Sequence, residues 1–340
     1  MSAQFTSLDS SATAWIALAS AQRVSPKLWL QALEQHQCSP IELLSQASSL
    51  GSTVTTLTDQ ITQKHIDTAL NWAKASENRH VITLDSPDYP PLLKQLDSPP
   101  LVLFATGSKA LLKQPQIAIV GSRRASIQGK RIATDFAMGL SNNGIAITSG
   151  LAMGIDSAAH VGAISGSIGT IAVMGTGPDK IYPAKNSKLY NEIHDSGGVS
   201  VTEFFPGQGP KPWHFPRRNR IIAALSLGTL VVEAKIKSGT LITANLAADM
   251  GRDVFAVPGS LFHAYSEGCH WLIQQGAKLV TNVNDILLEI GVQPQQMSFD
   301  VGEQNEKSAV NSLATDKLLA SVDYDITAID VIAQRNALSV

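Results

Sequence analysis

The 340-residue sequence predicts an α/β fold, a mostly parallel sheet flanked by helices and preceded by a small all-helical region. The first observation is a series of short apolar runs: Ile117–Val120, Ile145–Thr148, Ile171–Met174, Val199–Thr202, Leu230–Val232 and Val254–Val257. Nearly all their residues are apolar, as in strands covered on both faces. Second, helical periodicity alternates with these runs, clearest over Gln128–Leu140. Third, most runs lead straight into glycine-bearing loops, at Gly121, Gly150, Gly175, Gly177 and Gly259. In open α/β sheets ligands bind outside the carboxyl ends of the strands, where such loops gather.

Taken in order, residues 12–75 carry apolar positions at helical spacing: Trp15, Ile16, Leu18 and Ala19, then Leu28, Leu30 and Leu33, then Ile41, Leu43 and Leu44. Ser39 is placed to cap a helix that Pro40 opens. Residues 1–80 therefore form a helical domain. The prolines of Ser86-Pro87-Asp88-Tyr89-Pro90-Pro91 and Ser98-Pro99-Pro100 exclude a helix interior and mark an ordered connector. The α/β domain spans 81–290. Residues 291–311 are polar and read as a linker, and helical periodicity returns over 312–340.

Composition excludes several classes. Hydrophobic residues make up 44% and charged residues 16%, a globular balance, and the net charge of −2 excludes a uniformly basic coat. Cys38 and Cys269 stand far apart, without metal spacing, and read as reduced thiols. No cation precedes the short apolar stretch after Asp9, so a signal peptide is not expected. The longest apolar run, Ile221 to Val232, is too short for a membrane span. The expected location is cytoplasmic.

Three loops carry candidate anion sites. After the first strand of the α/β domain comes Gly121-Ser122-Arg123-Arg124, a small-residue turn entering a helix, with backbone N–H groups and two full charges. It lacks the GxGxxG pattern, and the second strand ends in Thr148-Ser149-Gly150 with no ribose-binding acid, so neither a dinucleotide nor any other cofactor is expected. The second segment is Lys211-Pro212-Trp213-His214-Phe215-Pro216-Arg217-Arg218-Asn219-Arg220. No Asp or Glu lies between Glu203 and Glu233, and cations interleaved with aromatics suit the phosphates and bases of a single strand. A solvated basic loop with buried aromatics is the alternative. The third is Ser238-Gly239-Thr240 at a helix start, which alone reads as an ordinary cap. A mononucleotide needs one or two such sites, whereas a polymer needs several.

These loops carry a resemblance. Ile119-Val120-Gly121-Ser122-Arg123, Thr148-Ser149-Gly150-Leu151-Ala152-Met153-Gly154-Ile155-Asp156 with Ala159-His160, Phe215-Pro216-Arg217-Arg218-Asn219-Arg220-Ile221-Ile222, Ser238-Gly239-Thr240-Leu241-Ile242-Thr243-Ala244 and Phe255-Ala256-Val257-Pro258-Gly259-Ser260 resemble, in order, the DNA-processing protein A (DprA/Smf) family. The resemblance covers roughly residues 81–290. It implies an extended Rossmann-like domain without a dinucleotide, binding single-stranded DNA as a homodimer and loading the RecA recombinase onto it during natural transformation. By matching motif it assigns strand contacts to Arg123 and Arg217–Arg220, with Lys211 and Phe215 as neighbours. Two segments depart from the family. The expected helix-hairpin-helix (SAM-like) turn reads Ala21-Gln22-Arg23-Val24-Ser25-Pro26 without glycine, so packing or protein contact is expected of the helical domain. Asp323–Ala333 looks like the opening of a winged helix, truncated at Val340, so major-groove reading by that segment is not expected.

An enzymatic alternative rests on Ser226-Leu227-Gly228-Thr229-Leu230-Val231-Val232-Glu233. This stretch is similar to the phosphate loop of nucleotide phosphoribohydrolases of the lysine-decarboxylase-like group, with Glu203 and Glu233 as paired carboxylates. Ser226 and Leu227 replace the glycine doublet, so the glutamates are expected to pair with nearby arginines and organise the loop. Asp156 and His160, at i and i+4, suggest a loop-organising contact, since no third metal ligand follows. His263 and His270 have no partner pattern, and no GxSxG elbow is present. A protein–protein adaptor with incidental basic loops is the remaining non-enzymatic alternative.

Overall fold

The computed structural model describes residues 10–21 and 23–293. The expected winged-helix segment, and all but the first residues of the expected linker, lie outside them.

Helices α1 (Ser10–Ser20), α2 (Pro26–His36), α3 (Pro40–Ser45), α4 (Ser52–Thr58) and α5 (Gln63–Lys74) come first. Ser39 caps α3 as expected, accepting Glu42 N–H at 3.3 Å while the Glu42 carboxylate accepts Ser39 N–H at 2.7 Å. Trp15, Trp29 and Trp72 are buried among these helices. Trp72 also meets Phe104 edge-on at 5.6 Å, and Phe104 meets Phe205 at 5.1 Å, so the helices share a core with one end of the sheet. That agrees with a packing role.

The strands are β1 (Arg79–Thr83), β2 (Val102–Gly107), β3 (Gln116–Val120), β4 (Ala146–Ser149), β5 (Thr170–Val173), β6 (Val199–Thr202), β7 (Gly228–Val231), β8 (Asp253–Ala256) and β9 (Lys278–Leu279). They form one sheet in the order β1-β2-β6-β5-β4-β3-β7-β8-β9. From β6 to β9 every pairing is parallel, and β1 and β2 extend it antiparallel. All the apolar runs became strands, Val199–Thr202 without change and the others with bounds shifted by one or two residues. The antiparallel pair was not expected, because a proline-bearing connector separates β1 from β2 and carries no hairpin-turn signal.

Both faces are covered. α6 (Ile127–Asn142), α7 (Ile155–Ile164) and α12 (Val283–Glu289) lie on one side, where Ile117 and Ile119 point. α9 (His214–Leu225), α10 (Gly239–Asp249) and α11 (Glu267–Gln274) lie on the other, over Ala118 and Val120. α8 (Ser187–Asp195) packs beside β5 and β6. The chain leaves β3 toward β4 but leaves β7 toward β8, so the connections diverge between the neighbours β3 and β7. At such a switch point the loops separate and leave a crevice. Among the described residues no helix is long and apolar enough to cross a membrane.

Candidate nucleic-acid interface

An open cleft of about 730 Å³ lies at that switch point. Its walls come from the three predicted loops: Gly121, Ser122 and Arg123 after β3; Lys211, Phe215, Arg218 and Asn219 on and before α9; and Ser238, Gly239 and Thr240 at the start of α10. Segments more than a hundred residues apart thus meet in one place. Sequence reasoning missed Lys235, Lys237, Tyr182 and Tyr265, which also line it. Lys235 and Lys237 immediately precede the third loop, so extending that loop by three residues would have found them.

The loop after β3 is held from behind. Glu233, buried at the end of β7, accepts Ser126 N–H at 3.0 Å and Ser126 Oγ–H at 2.5 Å, while Ser126 Oγ accepts Gly129 N–H at 2.8 Å. Glu233 therefore fixes the entry to α6 through a serine, where an arginine partner had been expected. The loop after β4 closes against the same turn. Gly154 has φ +85, a left-handed value suited to glycine, and a Cβ there would lie 2.2 Å from Ser122 O.

Beneath the cleft lies Arg218, which is only 4% exposed. Its Nη1 donates to Gly150 O at 2.5 Å and to Val173 O, joining the ends of β4 and β5 from α9. A Cβ on Gly150 would sit 2.6 Å from the guanidinium nitrogens, so that position must be glycine for Arg218 to reach. Asp156 Oδ2 accepts Gly150 N–H at 3.1 Å and Ala152 N–H at 3.4 Å. Burial lowers the Arg218 guanidinium to about 10 against the pull of Asp156, and raises the Asp156 carboxyl against the pull of Arg218. His160 Nδ1 lies 2.7 Å from Thr170 Oγ1, and burial, with Arg218 adding to it, takes the imidazole down to about 3. Asp156 and His160 are thus structural, and among the described residues no cluster of metal-ligating side chains occurs.

The remaining arginines of α9 correct the expectation of a uniform basic run. Arg217 Nε and Nη2 donate to the two Glu203 oxygens at 3.1 and 2.8 Å, and Arg220 Nη2 donates to Glu203 Oε2 at 2.6 Å. Arg220 also donates to Ser98 O at 3.0 Å. The Glu203 side chain is 3% exposed, that of Arg217 52%. Neither Arg217 nor Arg220 lines the cleft; Arg217 faces a neighbouring one of about 400 Å³ against the helical region. Arg218 lines the cleft but is only 4% exposed, and with its Nη1 held by two carbonyls inside the fold it offers a phosphate little of its guanidinium. Arg124 is exposed beside the cleft.

Arg123, Lys211, Lys235 and Lys237 have no ion pair among the described residues. Each of the first three stands over an aromatic ring: Arg123 over Phe215 at 5.6 Å, Lys211 over Trp213 at 5.4 Å and Lys235 over Tyr265 at 5.0 Å. Phe215 is tilted against Tyr182 at 5.4 Å, while Trp213 stands 64% exposed at the rim. At the start of α10 the Ser238 side chain makes no cap hydrogen bond, leaving the first N–H groups of the helix open. The site therefore offers unpaired cations, flat aromatic faces and backbone donors along one groove, in a wall with no paired catalytic carboxylates. Ser226 Oγ–H donates to Ile222 O at 3.0 Å and Leu227 N–H to Gln116 O at 2.8 Å, so the phosphoribohydrolase-like stretch is tied to α9 and β3 and runs straight on as β7.

Fold and groove together define an extended Rossmann-like α/β protein with a cationic crevice at its switch point. The sequence profile described as DNA recombination-mediator protein A matches residues 80–291, and the chain belongs to that family. It is 41% identical over 280 residues to Protein Smf of Escherichia coli, covering 80% of this chain and 73% of that protein. It is 49% identical over 201 residues to the DNA processing protein DprA of Streptococcus pneumoniae, covering 59% and 71%. The fold matches the X-ray structure of the S. pneumoniae DNA processing protein A with TM-score 0.70 and 38% identity, over 82% of this chain and 97% of that one. It matches DNA processing protein A of Helicobacter pylori, described for its single-stranded DNA binding mode, with TM-score 0.56 and 30% identity, over 62% and 95%.

Proposed function

We propose that this protein binds single-stranded DNA without sequence preference and without cutting it. The observation that carries the reading is the meeting of three loops, remote in sequence, in one cleft whose rim cations have no carboxylate partners. Arg123, Lys211, Lys235 and Lys237 take phosphates, helped by the N–H groups at the start of α10, and bases stack against Phe215 or Trp213. None of these groups reads a base edge, so binding tolerates any sequence. Duplex binds less well, because its stiff paired backbone does not follow a narrow track and its bases are not free to stack. The single-strand binding described for the H. pylori relative supports the same reading.

Family membership supports three further proposals: that the protein acts in the cytoplasm during natural transformation, that it pairs as a homodimer, and that it loads the RecA recombinase onto the bound strand. A dimer sets two clefts on one strand and raises affinity by avidity; sedimentation showing only monomers would remove that part. The binding proposal is tested by anisotropy of a labelled oligonucleotide, single-stranded and duplex, across a salt series. With four cations on phosphates and about 0.7 per contact for single strands, the slope of log K against log salt is expected near −3. A flat salt response would leave the adaptor reading in place. Release of free base from a nucleoside monophosphate, abolished by Glu233→Gln, would establish the hydrolase instead.

A further inference from the structure

β1 closes the sheet, and β2 occupies only one of its edges. The bonds Gly107 N–H to Asn78 O and Leu84 N–H to Leu101 O fix the ladder, so Asn78, His80, Ile82 and Leu84 turn their backbone groups toward β2. Arg79, Val81 and Thr83 turn theirs away. Two of these outward groups are used locally: Arg79 N–H donates to Ser76 O at 3.1 Å, and Thr83 O accepts Ser86 N–H at 2.9 Å. The outward Val81 N–H and C=O, Arg79 O and Thr83 N–H find no backbone partner among the described residues.

An open cleft of about 520 Å³ lies along this edge, lined among others by Lys74, Arg79, Val81, Asp88 and Lys109. It shares no lining residue with the cleft at the switch point. Lys74 and Arg79 have no ion pair among the described residues, and the Asp88 carboxylate is already taken by Lys109 and Lys113. Charged side chains often guard an edge strand against unwanted pairing. Here the Arg79 guanidinium is folded back over the Trp72 ring at 5.5 Å and donates to Trp72 O at 3.2 Å, so it rims the edge without covering it.

The geometry points to a docking site for an extended, acidic peptide segment of a partner protein, which adds a strand to β1. Its backbone pairs with Val81, and its carboxylates meet Lys74, Arg79 and Lys109, the last in a cluster that stays net positive because two lysines share the single Asp88 carboxylate. A nucleic acid fits less well, since a phosphate backbone accepts hydrogen bonds but has no donor for the outward carbonyls of Arg79 and Val81.

The test uses the full chain and fluorescein-labelled peptides of about ten residues, the upper length of an ordinary strand. One alternates Val and Asp, one alternates Val and Lys, and one is the acidic peptide N-methylated at every second residue. The acidic peptide is expected to bind about tenfold or more tighter than the basic one, and N-methylation to weaken it about tenfold by removing pairing donors. Exchanging the exposed pair, Lys74→Glu with Lys109→Glu, is expected to abolish the acidic preference while leaving single-stranded DNA binding unchanged. Equal binding of acidic and basic peptides, or of methylated and unmethylated ones, would overturn the inference. So would displacement of the acidic peptide by an oligonucleotide from a variant with Arg123, Lys235 and Lys237 all changed to Ala, which would make the patch a nucleic-acid surface.

Discussion

The cations of α9 and those of the cleft rim have the same formal charge and opposite availability. Arg217 and Arg220 share the buried Glu203, and Arg218 is spent on the carbonyls of Gly150 and Val173. Arg123, Lys211, Lys235 and Lys237 make no ion pair among the described residues, and three of them rest on aromatic faces. The densest basic run in the sequence is therefore mainly scaffold, and the more scattered lysines and Arg123 form the groove. A phosphate arriving at α9 competes with Glu203, whereas one arriving at the rim displaces only water and counterions.

The largest effect that sharpens this contrast is on folding. Arg218→Ala leaves two buried carbonyls and Asp156 without their cation and is expected to cost about 3 kcal/mol in denaturant unfolding. Arg218→Lys recovers little, because one ammonium does not reproduce the planar fork. A fully stable Arg218→Ala protein would place this arginine among the free cations after all.

Next in size is a pH effect on the same buried layer. His160 titrates near 3 in the folded chain against 6.5 when unfolded, so unfolding takes up a proton between those values. This contribution is fully present above pH 6.5 and is lost progressively as pH falls toward 3. Stability at pH 4 is expected to be about 3 kcal/mol below that at pH 7 from this group, and thermal melts of His160→Asn should show a shallower acid limb. An identical limb would contradict the assignment.

Removing the anchor of the first loop comes third. Glu233→Ala is expected to cost about 1–2 kcal/mol by stranding Ser126 N–H and Oγ–H, and to weaken single-strand binding through a loosened Arg123 loop. The smallest effect separates the two sets of cations directly. Glu203→Gln removes the charge that neutralises Arg217 and Arg220, and single-strand affinity is expected to rise about threefold with a steeper salt slope. A fall in affinity would mean that Glu203 positions arginines that already hold the strand.

Much of this was legible in the sequence. Strands buried on both faces are apolar throughout, so β3 to β8 could be read from local composition. The loops at their carboxyl ends follow from the glycines and from Ser238, and all three face one cleft. What could not be read is partnership over long separation. Ser126 lies 107 before Glu233, and Gly150 lies 68 before Arg218. Pairing of Glu203 with nearby arginines was expected, but not that Arg217 and Arg220 share it while Arg218 between them turns inward to the carbonyls of Gly150 and Val173. Lys235 and Lys237 were overlooked for the converse reason: two lysines in a short loop give little local signal until folding sets them opposite Arg123.

The measurement closest to the central claim is the salt dependence of single-strand binding by the unmodified protein, beside a folded variant carrying Ala at 123, 235 and 237. The account predicts a slope near −3 that falls to about −1 in the variant, with affinity lost equally for every oligonucleotide sequence. Parallel salt lines of equal slope for the two proteins would contradict it, because the strand would then be held somewhere other than the crevice between β3 and β7.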